Sequence, residues 1–359
     1  MMVRTYIIYN LTLFFTIIFS IWVTHSKNKS SEYIARILVF FSVAIPAYIR
    51  KGIGTDYPGY VHLYQRYRHF DDDHELGFKI LAKLCWLFDA TPHTFIAILA
   101  IIPLALIVFY VPKRHYDYFV PTYILTSYLK IIAVSRQEVA IAFAICGIIA
   151  LEKKYGTIKY LLNSTMACLF HSSSIFYYPI LLLKKVEIGP RSIMVLLIIV
   201  FTLTLGANVI DWIVTNPMFL ASKYSKYLGN DYYFRDTELG SGLGVIANLI
   251  LPILFLIFYK RSSKYVNNAN FICWLTLCFL ASYLMSTQTY IFTRLIDVFR
   301  FIPAFIAYPT CKAISKRHPF IIFLGFMFMY FVIFNKAVTE AQVSLHRGLG
   351  ISPFYTIFD

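Results

Sequence analysis

Apolar segments of about membrane-spanning length recur from one end of this chain to the other, and that recurrence leaves few folds open. In hydrocarbon every backbone N–H and C=O needs an internal partner, so such segments fold as helices packed into a bundle. Hydrophobic residues make up 59% of the 359 and charged residues only 14%, where a soluble domain carries about a quarter charged. The pattern predicts an all-α, polytopic transmembrane bundle forming a single integral membrane domain over 1–359. About twelve spans are expected, at 5–24, 35–49, 94–111, 118–132, 138–152, 157–170, 174–184, 192–210, 242–259, 270–286, 293–311 and 319–336. The first run, Thr5 to Thr24, has no small-residue cleavage site, and its cations Lys27 and Lys29 follow it. It reads as a retained helix.

The net charge of +15 does not call for nucleic acid, because in a membrane protein basic loops report topology first. The loops at 25–36, 112–117, 152–159, 184–191, 260–265 and 312–318 hold more than half of the 33 Lys and Arg residues. They hold only four of the 18 acids, Glu32, Asp117, Glu152 and Glu187. The positive-inside rule assigns this set to the cytoplasm. Both termini and the loops at 50–93, 133–137, 171–173, 211–241 and 287–292 then face outward. The six cysteines lie mostly in apolar runs without metal-type spacing and read as small buried hydrophobes.

Two outer loops are large. In 50–93, Leu76, Ile80, Leu84, Leu87 and Phe88 recur at helical spacing, which predicts an interfacial or short re-entrant helix. Asp71, Asp72 and Asp73 read as a solvated turn, since adjacent acids do not converge on one ion unaided. In 211–241, Tyr224, Tyr227, Tyr232, Tyr233 and Phe234 lie among charges, as in a membrane interface or a sugar-stacking surface.

Polar groups gather on the predicted outer side. Arg50 to Tyr60 carries two cations, Asp56, flexible glycines and two tyrosines directly after an apolar run. It reads either as a membrane-exit loop, with Arg50 snorkelling and Asp56 capping a helix, or as an anion site. In the second reading Arg50 grips a phosphate as a fork and Asp56 takes a hydroxyl proton. Arg136, Gln137 and Glu138 form an outer turn, and His171 stands with Ser172, Ser173 and Ser174 in the next. Arg294, Asp297 and Arg300 share a helical face by their spacing of three. Charges are costly in a bilayer and usually face a cavity or a partner. Three cationic sites, a histidine and carboxylates on one side predict a site for an anionic, phosphate-bearing lipid substrate. The chain has no G-x-x-x-x-G-K-[ST] loop, no H-E-x-x-H and no G-x-S-x-G, so ATP hydrolysis and a Ser–His triad are unsupported.

These residues resemble the EpsG-like branch of the Wzy-type polysaccharide and O-antigen polymerases. The branch's Arg-x-x-x-Gly-Thr-Asp-Tyr element is similar to Arg50, Gly54, Thr55, Asp56 and Tyr57, followed by Tyr60. Its Glu-Pro-Gly-Phe element reads Glu75-Leu76-Gly77-Phe78 here, without the proline. Ser135-Arg136-Gln137 matches a Ser-Arg-Gln turn, and Phe170, His171 and Ser173 match Phe-His-x-Ser. Arg294 and Phe299 match a later element with Val298 in place of an aromatic, and Ser352-Pro353-Phe354 stands where the family has Asn-Pro-Tyr.

The resemblance implies a glycosyltransferase-C-like enzyme of the bacterial inner membrane, acting at the periplasmic face in O-antigen, lipopolysaccharide or exopolysaccharide synthesis. It would transfer a growing glycan from polyprenyl diphosphate onto a new lipid-linked repeat, beside a separate chain-length regulator. On that basis Arg50, Arg136 and Arg294 are assigned to the diphosphate, and Asp56, then His171, to the general base. Thr55, Tyr57, Glu75, Gln137, Glu138, Asp297 and Arg300 are assigned supporting roles. No cofactor is required, although a divalent cation sharing the diphosphate charge stays open. The other readings are a lipid-linked oligosaccharide flippase, a glycan–lipid ligase and a membrane acyltransferase using His171.

Overall fold

The computed structural model describes residues 2–66, 74–151, 153–206, 215–217, 242–286, 293–340 and 348–359. Its described residues are helical, with no β-strand and one isolated bridge between Arg50 and Thr356. They form two compact units, Met1–Pro179 with Phe320–Asp359, and Ile180–Pro319.

The first unit holds α1 (Met2–His25), α2 (Lys29–Ile49), α3 (Tyr57–Arg66), α4 (Leu76–Leu87), α5 (Pro92–Tyr110), α6 (Tyr116–Ala133), α7 (Ser135–Ala150) and α8 (Gly156–Phe170). Helix starts follow local chemistry. Asn28 accepts from the Ser31 N–H ahead of α2, and Thr91 accepts from the Thr94 N–H ahead of α5, with Pro92 in its first turn. α1 packs on α2 and α6, α2 on α5, α5 on α7, and α7 on α8. α6 and α7 are buried almost all round, as expected for helices without a polar face. The helix Pro319–Glu340 returns to this unit, where Asn335 and Asn10 exchange amide hydrogen bonds at 3.1 and 3.2 Å. α4 buries Phe78, Ala82 and Cys85 and exposes Leu76, Ile80, Leu84 and Leu87.

The second unit contains α10 (Pro190–Gly206), α11 (Leu243–Ile257), α12 (Tyr259–Ser262), α13 (Ala269–Ser286), α14 (Thr293–Phe299) and α15 (Ile302–Ile314). α13 packs against α10, α14 and α15, and α11 against α15. α9 (Tyr177–Ile180) and α16 (Pro319–Glu340) each cross a boundary between the units in the sequence.

Among the described residues five helices are long and apolar enough to cross a membrane, α1, α2, α5, α13 and α16. There are six if α11 and the helix bent 73° from it, Tyr259–Tyr265, form one span. Two expected spans are corrected. Residues 174–184 form no spanning helix but two 3₁₀ turns, Ser172–Phe176 and Leu181–Lys185, around the four-residue α9. Serines before Pro179 favour turns over a continuous helix. The expected span 293–311 breaks between Phe299 and Ile302, where Pro303 lacks the N–H needed to continue. The tyrosine-rich part of 211–241, the aspartates at 71–73 and the loop at 287–292 lie outside the described residues.

The buried charged groups of the first unit lie toward its two ends. At one end Arg36 donates to the carbonyls of Val108 and Val111, and Thr24 donates to Asp117. At the other, residues 50–60, 75, 133–138, 171–174 and 348–359 converge. Gly54 is wedged there at φ +108°, and a Cβ would sit 2.7 Å from the Ile132 carbonyl oxygen. Gly54→Ala is therefore expected to lower stability by about 1–3 kcal/mol, read as a reduced thermal midpoint of the purified protein. An unchanged midpoint would mean that the wedge is not tight.

Candidate active site

The site is built on the junction between α6 and α7. α6 ends at Ala133, Val134 breaks the helix, and Ser135 begins α7, placing Arg136, Gln137 and Glu138 in its first turn. The loop after α2 lies across this junction. The Asp56 N–H donates to the Ala133 carbonyl at 3.2 Å. Residues 348–359 lie along the other side of the loop. The N–H of Gly54 donates to Gly350 O at 2.8 Å, that of Thr55 to Leu349 O at 3.1 Å and that of Lys51 to Tyr355 O at 3.0 Å. Tyr9 of α1 steadies this segment, donating to Ile351 O and meeting the Phe354 ring edge-on. Arg4 pairs with Asp359 at 2.6 Å, and this exposed pair holds the Asp359 carboxyl well below the usual carboxylate range.

Arg50 sits at the end of α2, 1% exposed. Nη2 donates to Ser135 Oγ at 3.2 Å, while Nε and Nη1 have no hydrogen-bond partner among the described residues. Burial pulls its pKa down to about 10, against the influence of Tyr9, Tyr128, Tyr57 and Tyr60. The side chain therefore stays charged at neutral pH. A buried cation with idle donors costs stability, and an arginine fork in this condition suits a bidentate anion.

Glu75 joins three of the elements singled out in the sequence. Its Oε2 accepts from Arg136 Nη1 at 3.0 Å, and its Oε1 accepts from the Ser172 N–H at 3.2 Å. The Arg136 guanidinium also lies 5.4 Å from the centre of the Phe78 ring. Beside it, the Tyr60 hydroxyl donates to Asp56 Oδ2 at 3.1 Å and accepts the Arg136 N–H at 3.2 Å. Burial, reinforced by Asp56, raises the Tyr60 pKa, so the phenol remains a donor. His171 closes α8, and its Nδ1 lies 2.7 Å from Ser173 Oγ. Gln137 is buried with both amide atoms unpartnered among the described residues, Glu138 is fully buried, and Thr55 is exposed.

Arg50, Asp56, Tyr57, Glu75, Arg136 and His171 thus share one end of the first unit. Arg294, Asp297 and Arg300 belong to the second. There Asp297 pairs with Arg300, and Arg294 is exposed. Two contributors, His93 and Tyr9, had no sequence signal, whereas Tyr60 follows the Arg50–Tyr57 element in the sequence. Tyr60 is four residues from Asp56, a helical spacing that allows their bond. His93, whose Nδ1 lies 3.3 Å from the Tyr57 hydroxyl, and Tyr9 come from other helices. Among the described residues no group of three or more His, Cys, Asp or Glu is arranged to hold a metal ion.

The fold and site define a multi-pass, all-helical membrane protein with a cation-bearing polar site at one end of a helical unit. The chain belongs to the EpsG family, whose model it matches over residues 33–353. That range includes every motif element from Arg50 to Pro353. Membership points to a polysaccharide-polymerase-like, glycosyltransferase-like role. No curated protein and no solved structure matches the chain.

Proposed function

We propose that this protein polymerises a surface polysaccharide such as O-antigen. It transfers a growing glycan from polyprenyl diphosphate onto a new lipid-linked repeat at the periplasmic face of the bacterial inner membrane. The observation that carries this reading is Arg50, a buried guanidinium with two nitrogens unpartnered among the described residues, beside the Arg136–Glu75 pair.

In the proposed step the acceptor hydroxyl oxygen attacks the anomeric carbon of the donor. The bond from that carbon to the diphosphate oxygen breaks, and the diphosphate leaves with the electron pair. Fixed cations stabilise the charge that develops, most effectively where water is scarce. Arg50 and Arg136 supply them, and Arg294 is assigned the same role by its sequence element. Asp56 takes the hydroxyl proton, held in place by Tyr60; His171, oriented by Ser173, is the second choice. Because Arg50 is buried, diphosphate contact requires the groups around it to open. A divalent cation would share the diphosphate charge if one is recruited with the substrate.

A gel of surface glycan from a strain lacking the gene tests the reading. Collapse of the ladder to a single repeat supports polymerisation. Complete loss of surface glycan points to a flippase, long polymer retained on the carrier to a ligase, and an unchanged ladder to an acyltransferase. Tyr60→Phe is expected to slow lengthening by about tenfold or more, through misplacement of Asp56, at a stability cost of about 1 kcal/mol. A normal ladder from that variant would remove Tyr60, and with it the orientation of Asp56, from the mechanism.

A further inference from the structure

The second unit carries a cavity of about 440 Å³ whose walls are cationic. Arg261 and Lys264 line it from the bent helix Tyr259–Tyr265, and Lys312 and Lys316 from the end of α15 and the residues after it. Local structure holds these two segments in place. The N–H groups of Arg261 and Ser262 both donate to Phe258 O, which turns the chain out of α11. Tyr259 and Ser262 are buried, so Lys260, Arg261 and Lys264 lie on the exposed side. Lys312 Nζ donates to Lys316 O at 2.7 Å, drawing the end of α15 back on itself. The Tyr265 and Tyr308 rings meet edge-on at 6.3 Å and tie the two segments together.

No carboxylate close in sequence answers this charge. No Asp or Glu occurs between Glu238 and Asp297, or between Asp297 and Glu340. Asp297 is engaged by Arg300. Four like charges around one cavity repel one another, and an anion entering it relieves that repulsion. The volume lies in the range of small-molecule sites. Ala313 and Ile314 supply an apolar part of the wall beside the cations. Both segments fall in the basic loop set that the charge count assigns to the cytoplasm.

We infer that this cavity binds the phosphate headgroup of an anionic phospholipid, with Arg261, Lys264, Lys312 and Lys316 as its cationic ligands. Free phosphate esters share that chemistry. The lipid is favoured because the bent helix continues from apolar α11 and the cavity wall is partly apolar, as a headgroup site at a membrane interface would be. The site lies entirely within the second unit and does not depend on the proposed polymerase reaction.

The test is lipid binding by the purified full chain in neutral detergent, measured by native mass spectrometry. The probes are dioleoylphosphatidylglycerol and dioleoylphosphatidylcholine. The anionic lipid is expected to bind preferentially. Each single substitution, Arg261→Gln, Lys264→Gln, Lys312→Gln or Lys316→Gln, is expected to weaken it about fivefold, and the fourfold variant to abolish the preference. The single variants preserve the test if the fourfold variant does not fold. Lys153→Gln with Lys154→Gln, in a different basic loop, is expected to change nothing. Equal binding of both lipids, unchanged binding by all four single variants, or an equal loss from the Lys153 and Lys154 control overturns the inference. If glycerol 3-phosphate displaces the anionic lipid at equal concentration, the lipid assignment fails in favour of a soluble phosphate.

Discussion

Replacing Arg50 with methionine is expected to collapse the glycan ladder while leaving the protein in the membrane and at least as stable as before. The two effects have one cause. Arg50 is buried, and two of its three guanidinium nitrogens are unpartnered among the described residues. Each unmet buried donor costs about 1–3 kcal/mol. An apolar side chain of similar length removes that cost, and replacing buried charge by packed hydrophobe is often neutral or stabilising. If the fork exists to meet the leaving diphosphate, its loss should slow lengthening by about a hundredfold or more. Arg50→Lys keeps a charge but not the planar fork and is also expected to fail. Ladder gels, membrane-fraction immunoblots and thermal melts of the same variants decide the matter. A normal ladder from Arg50→Met would remove Arg50 from the chemistry. A normal ladder from Arg50→Lys alone would show that charge, not fork geometry, is what matters.

The second large effect is expected at Glu75. Its two oxygens hold Arg136 and the Ser172 N–H, so Glu75→Ala leaves a part-buried guanidinium and a backbone donor unpaired. Removing one partner of such a pair costs about 3 kcal/mol, and the ladder should collapse because Arg136 and the turn carrying His171 lose their common anchor. Arg136→Ala should collapse it too. The double variant should then be more stable than the two single losses predict, by about 1–3 kcal/mol, because the pair is lost only once. Strict additivity in melting experiments would mean that the contact contributes nothing, and an intact ladder from Glu75→Ala would mean that it does not position the site.

Much of this site was legible in the sequence because charge is rare in so apolar a chain. Arg50, Asp56, Glu75, Arg136 and His171 stood out for that reason, and they converge on one end of the first unit. What the sequence hid was pairing across distance. Nothing local reveals that Glu75 would serve both Arg136 and Ser172, or that Arg50 would be buried rather than open in a loop. That burial accompanies contacts from Tyr9, Tyr128 and residues 348–359, which belong to other segments. The helical class was equally legible, but the spans were not. Hydropathy counted residues 174–184 as a crossing, although Pro179 and the preceding serines favour turns. It also read through Pro303, where α14 and α15 separate. α6, α7 and α8 show a related ambiguity, since an apolar pattern alone does not distinguish a buried core helix from a lipid-facing one.

The contacts between residues 348–359 and the start of the chain also set an order of events during synthesis. Phe354 N–H donates to Thr5 Oγ1, and Gly350 O receives the Gly54 N–H, across some three hundred residues of intervening chain. α1 and α2 leave the ribosome early, with Arg50 already attached. Those partners leave the ribosome only after the helices described above have been made. Until then the loop carrying Arg50 and Asp56 lacks one of its two walls. A chain interrupted before residue 348 would lack that wall of the site.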